Sequence, residues 1–345
     1  MNGITKMIES TKGDLLKADA DALVNTVNCV GVMGKGIALQ FKMAFPENFK
    51  QYYKACQNKN VRIGRMFITK QLFKPKYIIN FPTKEHWKEK SKLGYISRGL
   101  TDLKQKIKEL KIKSIAIPPL GAGLGGLNWP DVKNLIIKEL SDLEDVEVIL
   151  YEPSGSPAPG KIRVRTEKPK MTNGRAILIN LLEHYKEPGY RLTLLEIQKL
   201  MYFVQESGES LRLKYKKEQY GPYAPNLEHV LQKIEGHFIR GYGDRTGESS
   251  IRLLKEGLDS SREFLKDKPQ ALERLEKVSR LIRGFETPYG LELLSTVHWT
   301  AKHENKSEED EIIKDIQAWN KRKHNLFQPI HIRKAIKHLK TYNML

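Results

Sequence analysis

Only two cysteines, Cys29 and Cys56, occur in 345 residues. Two cannot build a disulfide framework or supply the four ligands of a structural zinc site, so they read as ordinary thiols of a reducing compartment. Long apolar runs are missing as well. None approaches the roughly 20 residues that span a bilayer. The opening MNGITKMIESTKGD lacks the apolar core and small-residue cleavage pattern of a secretory signal. The expectation is a cytoplasmic protein with no membrane partner. There is no Cys/His cluster, no Gly-x-Ser-x-Gly elbow and no metal-spaced carboxylate set, so neither a metal nor a cofactor is expected. Acidic residues are the scarcer charge, 41 against 60 basic, for a net charge of +19. The surplus is shared: 25 basic and 16 acidic residues up to Pro153, then 35 and 25. It favours polyanion partners, nucleic acid first, although a solvated basic surface would read the same way.

What is present is the material of folded domains. The hydrophobic fraction is 39%, with 14 Tyr, 11 Phe and 4 Trp, and the length suggests two domains. Residues 1–152 alternate between strand-like and helix-like segments. Asp21–Val27, Tyr77–Phe81, Ile115–Ile117 and Val146–Tyr151 read as strands, and Ile37–Phe45, Ile96–Leu110 and Val132–Leu140 as helices. Such alternation predicts a sheet covered by helices, an α/β fold. Glu152–Gly160 packs three prolines, two glycines and two serines into nine residues, and with the basic stretch behind it predicts an exposed linker over 153–170. The remainder, 171–345, reads as mostly α-helical: Ala176–Tyr185, Leu194–Gln205, Ala224–Ile234, Arg262–Ile282, Glu292–His303, Glu308–Trp319 and Ile330–Leu339.

Four features of the first half carry chemistry. Gly13-Asp14 follows a predicted strand; Asp14 reads as a helix N-cap or as an acceptor for an exocyclic amine such as that of adenine. Asn25-Thr26-Val27-Asn28 sets two amides where a strand gives way to a loop, a turn signal, but also the place where open α/β sheets bind ligands. Gly31-Val32-Met33-Gly34-Lys35-Gly36-Ile37 is a glycine-rich loop entering a helix, able to turn backbone N–H groups toward an anion. It is not a Walker loop, because the spacing differs and no Ser or Thr follows the lysine. Pro118–Trp129 then puts four glycines into the six positions Gly121–Gly126, straight after the run Ile115–Ile117. Two such loops leaving two strands suit a ligand with two phosphates, with side chains absent so that the backbone can approach.

In this order, over residues 1–152, the motifs resemble the macrodomain, the ADP-ribose-binding fold. Val24–Gly36 and Asn80-Phe81-Pro82-Thr83-Lys84-Glu85-His86-Trp87 are similar to DarG-type antitoxins, which pair with DarT-type toxins. The resemblance implies removal of the ADP-ribose that such toxins attach to thymidine in single-stranded DNA. It implies that Asp14, with Leu15, holds adenine. It also implies that Thr26, Val27 and Asn28, with Lys35, Gly36 and Ile37, surround the distal ribose, and that Gly121, Ala122, Gly123, Leu124 and Gly125 cradle the pyrophosphate. Lys84, with Thr83 beside it, falls on the catalytic lysine. A partly desolvated lysine beside bound ligand can act as a nucleophile; without the resemblance Lys84 reads first as an ordinary surface lysine. His86 and Trp87 read as base and stacking platform, or as rim packing.

In the second half, the stripe Leu194–Gln205 reads as core packing. Lys199-Leu-Met-Tyr-Phe with the downstream turn Tyr220-Gly221-Pro222-Tyr223 is similar to Panacea-type antitoxin domains, which implies a toxin-binding role for 171–345 with a cognate DarT-like toxin as partner. The alternatives are a glycohydrolase or deacylase of protein-linked or O-acetyl ADP-ribose, and a non-catalytic ADP-ribose reader coupled to nucleic-acid binding.

Overall fold

The computed structural model describes residues 8–185, 192–246 and 249–345; the opening Met1–Met7 lies outside them. The chain divides into two compact units. One is Met1–Glu167 with the short segment Asp244–Gly247, and the other is Lys168–Gly243 with Glu248–Leu345.

The first unit runs β1 (Ile8–Thr11), β2 (Ala22–Asn28), α1 (Gly36–Ala44), α2 (Pro46–Gln57), β3 (Phe67–Lys70), β4 (Tyr77–Lys84), α3 (Leu93–Glu109), β5 (Ser114–Ile117), α4 (Trp129–Leu140) and β6 (Glu147–Tyr151). The strands form one sheet in the order β1-β6-β5-β2-β4-β3. It is mixed: β3 pairs antiparallel with β4, and the other neighbours are parallel. The central strands are buried on both faces, as parallel strands under crossover helices must be. Alternation along β2 and β4 sends Val24, Ile79 and Phe81 to a core shared with Ile96 and Leu100 of α3. Leu23 and Ile78 go to the opposite core, with Phe41 and Ala44 of α1. Gly99 lets α3 lie close on the sheet, since a Cβ there would meet the Phe81 ring at 2.2 Å.

Two expectations change here. Asn25 is not at a strand end. It sits inside β2, fully buried, where its amide donates to Asn80 (3.1 Å). The stretch 153–170 is not wholly an exposed linker either. Ile162 is buried against Leu39 and Met43 of α1, and the Arg165 amide donates to the Met43 carbonyl (2.8 Å). An isoleucine in a proline-rich connector thus finds apolar cover.

The second unit contains α5 (Asn173–His184), α6 (Leu194–Glu206), α7 (Leu227–Ile234), α8 (Lys255–Leu265), α9 (Pro269–Ile282), α10 (Pro288–His303), α11 (Glu309–Trp319), α12 (Lys321–Leu326) and α13 (Pro329–Thr341). Two short hairpin-like pairs join them: β7 (Lys216–Glu218) with β8 (Gly221–Tyr223), and β9 (Ile239–Arg240) with β10 (Arg252–Leu253). The helix expected over 262–282 is broken because Pro269, without an N–H, opens a new helix at its first turn. The helix expected from Ala224 begins at Leu227, after Pro225.

The apolar stripe of α6 hides a charge. Lys199 is buried, and its ammonium donates to the Pro222 carbonyl (2.6 Å). That bond ties the Tyr-Gly-Pro turn to the Lys-Leu-Met-Tyr-Phe helix. Gly221 takes a positive φ of 90°, and a Cβ there would meet the Thr296 hydroxyl at 2.8 Å. Beneath lies Glu292, 1% exposed, which accepts from Lys323 (2.7 Å) and Arg322 (2.6 Å).

Candidate active site

Parallel pairing brings the carboxyl ends of β2, β4 and β5 to one edge: Asn28 lies opposite Lys84, and Leu23 opposite Ala116. The loops leaving these three strands therefore converge.

The first loop is held from below. The Asn28 amide nitrogen donates to the Val32 carbonyl (2.6 Å). Its carbonyl oxygen accepts from the amides of Val30 (3.0 Å) and Val32 (3.2 Å). Tyr52 donates to the Asn28 backbone carbonyl (2.6 Å). The side chain expected at the distal ribose therefore shapes the loop. Val27 likewise turns its side chain into a small core with Met33 and Tyr52, while Thr26 is half-buried. Exposed Lys35 stands at the N-cap of α1 and supplies no side-chain cap. Among the described residues the Ile37 and Ala38 amides donate to no backbone acceptor, as at a helix start, the arrangement that suits an anion.

The segment Asp244–Gly247 of the same unit completes this wall. The Gly36 amide donates to the Asp244 carbonyl (2.9 Å), and the Arg245 guanidinium to the Gly34 carbonyl (3.1 Å). The Asp244 carboxylate accepts from Gln40 (2.6 Å) and Ser156 (2.6 Å). Burial raises its pKa, but hydrogen bonds from Ser156, Thr246 and Gln40 outweigh that and hold it below the ordinary carboxylate range. The amide of Gly36, a residue expected around the distal ribose, is therefore engaged by Asp244. Nothing in the sequence pointed to this segment, which lies some two hundred residues from the loop it supports.

The second loop is a tight coil. Ala122 donates to Pro119 (3.1 Å), Gly126 to Gly123 (3.1 Å) and Leu127 to Gly121 (3.0 Å). Gly121 and Gly126 have positive φ, 68° and 77°. A Cβ on Gly125 would stand 2.1 Å from the Gly121 carbonyl and 2.4 Å from the Ser91 hydroxyl, so only glycine fits without movement. Gly123 and Leu124 are exposed at the tip, and among the described residues the amides of Gly123, Leu124 and Gly125 donate to no backbone acceptor. This leaves three adjacent donors in a loop without side-chain bulk, a nest for phosphate oxygens.

Lys84 closes the arrangement. As the last residue of β4 it donates from Nζ to the Leu124 carbonyl (2.6 Å), across from one loop to the other. Partial burial disfavours its charged form and lowers its pKa below the ordinary lysine value. Thr83 beside it is buried, its hydroxyl 3.5 Å from the Val27 carbonyl.

The two residues expected at adenine, Asp14 and Leu15, are both engaged within the fold. Asp14 caps the short 3-10 turn Leu15–Lys17, accepting from the Leu16 amide (3.1 Å) through Oδ1. Leu15, expected beside adenine, is 3% exposed and packs in the core with Phe41 and Ala116. It has almost no surface to offer a ligand.

The macro domain family model matches residues 24–136, the span that holds all three loops. A DNA ADP-ribosyl glycohydrolase of Thermus aquaticus is 50% identical over 332 residues, 96% of this chain and 92% of that protein. The chain belongs to the DNA ADP-ribosyl glycohydrolase family. A further relative of these glycohydrolases, a DNA ADP-ribosyl transferase-DNA ADP-ribosyl glycohydrolase fusion protein of Thermosipho africanus, is 34% identical over 44% of this chain and 43% of its own length. The solved macrodomain of Mycobacterium tuberculosis DarG is 57% identical and covers 43% of this chain and 99% of its own, with a TM-score of 0.42.

Proposed function

We propose that this protein hydrolyses the bond between ADP-ribose and thymidine in single-stranded DNA, and that residues 171–345 bind the transferase that makes the modification. The observation that carries the first part is the Lys84–Leu124 bond. It sets a partly desolvated amine against the loop suited to the pyrophosphate, where the distal ribose follows the second phosphate. Family membership at 50% identity over nearly the full chain supports the reaction. The fusion relative supports the pairing with a transferase.

In this reading the phosphates lie on the amides of Gly123–Gly125 and the start of α1. Neutral Lys84 attacks the anomeric carbon of the distal ribose through Nζ. A C–N bond to lysine forms as the C–N bond to thymine breaks, and the base leaves with the electron pair and takes a proton. Water then adds at the same carbon and expels the amine, releasing ADP-ribose and restoring Lys84. Asn28, Tyr52 and Asp244 act by holding the first loop in shape.

The test is a single-stranded oligonucleotide carrying one ADP-ribosyl-thymidine, incubated with the wild type or Lys84→Ala. Return of unmodified DNA with the first and not the second supports the reading. Equal cleavage by both removes Lys84 from the mechanism. Tight ADP-ribose binding without cleavage by either points to a reader or to a different adduct. Co-purification of residues 171–345 with the transferase tests the second part.

A further inference from the structure

The turn that follows Lys84 plays no part in the chemistry above, yet it carries an exposed tryptophan. Trp87 is 50% exposed. The other three, Trp129, Trp299 and Trp319, are all more covered. Trp129 and Trp319 donate from their indole nitrogens, to Glu152 and to the Glu218 carbonyl. Trp299 stacks on His303 at 4.5 Å. Leaving half an indole in water forgoes apolar burial that the fold obtains elsewhere.

The turn is nevertheless firmly placed. The Glu89 amide donates to the His86 carbonyl (3.1 Å), closing it. At its start, the Cys29 amide donates to the Glu85 carbonyl (3.0 Å), and Tyr95 donates to the Glu85 carboxylate (2.8 Å). At its end, the Ser91 amide donates to the Gly125 carbonyl (3.0 Å). It is thus fastened to both glycine-rich loops and begins at Lys84. On it, the Trp87 ring lies 5.5 Å from that of His86, tilted by 31°, with the Lys88 ammonium 5.2 Å from the indole centre. Lys88, Lys90 and Lys92 are exposed in succession. Glu85 and Glu89 share the segment, and Glu85 is engaged by Tyr95.

A half-exposed indole flanked by lysines, beside a site that must act on one nucleotide of a strand, matches the way single strands are held: a base stacks on the ring, and phosphates meet the cations. We infer that the His86–Trp87–Lys88 turn receives the DNA strand next to the modified thymidine, with Trp87 stacking on a neighbouring base and Lys88 beside a neighbouring phosphate. Trp87 then determines preference for a strand over an isolated nucleoside. This rests on the glycohydrolase reading.

The experiment compares two substrates, ADP-ribosyl-thymidine as the free nucleoside and the same group within a single-stranded oligonucleotide. Trp87→Ala should raise KM for the oligonucleotide about 10-fold, the effect of losing one stacked base, with kcat held and the nucleoside cleaved as by the wild type. Trp87→Phe should recover part of the loss. Lys88→Ala should reduce the slope of log affinity against log salt for the oligonucleotide by about 0.7, one phosphate contact on a single strand. An unchanged oligonucleotide KM in Trp87→Ala would overturn the inference, as would equal losses on both substrates, which would mark Trp87 as a support of the site. If the wild type cleaves the nucleoside but gains nothing from the strand, this inference fails while the glycohydrolase reading stands. If it cleaves neither, both fail.

Discussion

Lys84 Nζ and the Leu124 carbonyl lie 2.6 Å apart, joining the end of β4 to the tip of the loop after β5. Forty residues separate the two in sequence, and the sheet order brings them together, since β2 lies between β4 and β5 and pairs parallel with both. The bond holds an amine at the loop whose amides suit phosphate.

The rate should therefore depend on pH through Lys84. Burial disfavours its ammonium, so the reactive neutral amine appears at lower pH than in a free lysine of pKa 10.5. The rate of cleavage is expected to climb with pH along a limb whose midpoint lies below that value. Arginine stays charged throughout. Lys84→Arg should lose this limb and at least about 100-fold in kcat, the lower end for removal of a positioned catalytic group. A pH profile of single-turnover rates checks both.

Two glycines of the second loop, Gly123 and Gly125, differ in the room each leaves for a side chain and so make a sharper test of it. Gly125→Ala puts a Cβ 2.1 Å from the Gly121 carbonyl, whereas Gly123→Ala meets nothing within 4 Å. Titration calorimetry with ADP-ribose should show Gly125→Ala weakened by about 10-fold or more, roughly 1.4 kcal/mol. Gly123→Ala should stay within about 2-fold. Equal behaviour of the two would mean that the loop does not cradle the ligand.

In the helical unit, Glu292 is the buried counter-charge of Lys323 and the partner of Arg322. Glu292→Ala leaves the Lys323 cation without its carboxylate and should cost about 3–5 kcal/mol of stability. Denaturant unfolding of the purified chain, followed by a probe in this unit, measures it. A loss under about 1 kcal/mol would show that the cluster relaxes or admits water.

Acid should weaken the same unit through His298. Burial pushes its pKa down from 6.5 to about 4, and its Nδ1 lies 2.7 Å from the Tyr202 hydroxyl. Below pH 6.5 the unfolded chain takes up a proton that the folded chain refuses until about pH 4. The contribution is thus fully present above 6.5 and lost as pH falls toward 4, a change of up to about 3 kcal/mol. His298→Gln should flatten the fall in melting temperature over this range.

How much of this could be read from the chain alone divides by the range of the interactions. Alternating strands and helices, the two glycine-rich loops, the proline-rich connector and the helical second half are local patterns. The sequence by itself determined them, and with them the family. Contacts across tens or hundreds of residues leave no local trace. Only the tertiary structure decided that Asn25 and Leu15 turn inward, that the Asn28 side chain holds the first loop, and that Asp244 engages the Gly36 amide. The same holds for Lys199, which sits in an apolar stripe yet ends on the Pro222 carbonyl, and for Lys84, one of 60 basic residues and the one that β4 delivers to Leu124. Periodicity tells a side chain which face to take; what waits on that face depends on which strands pair.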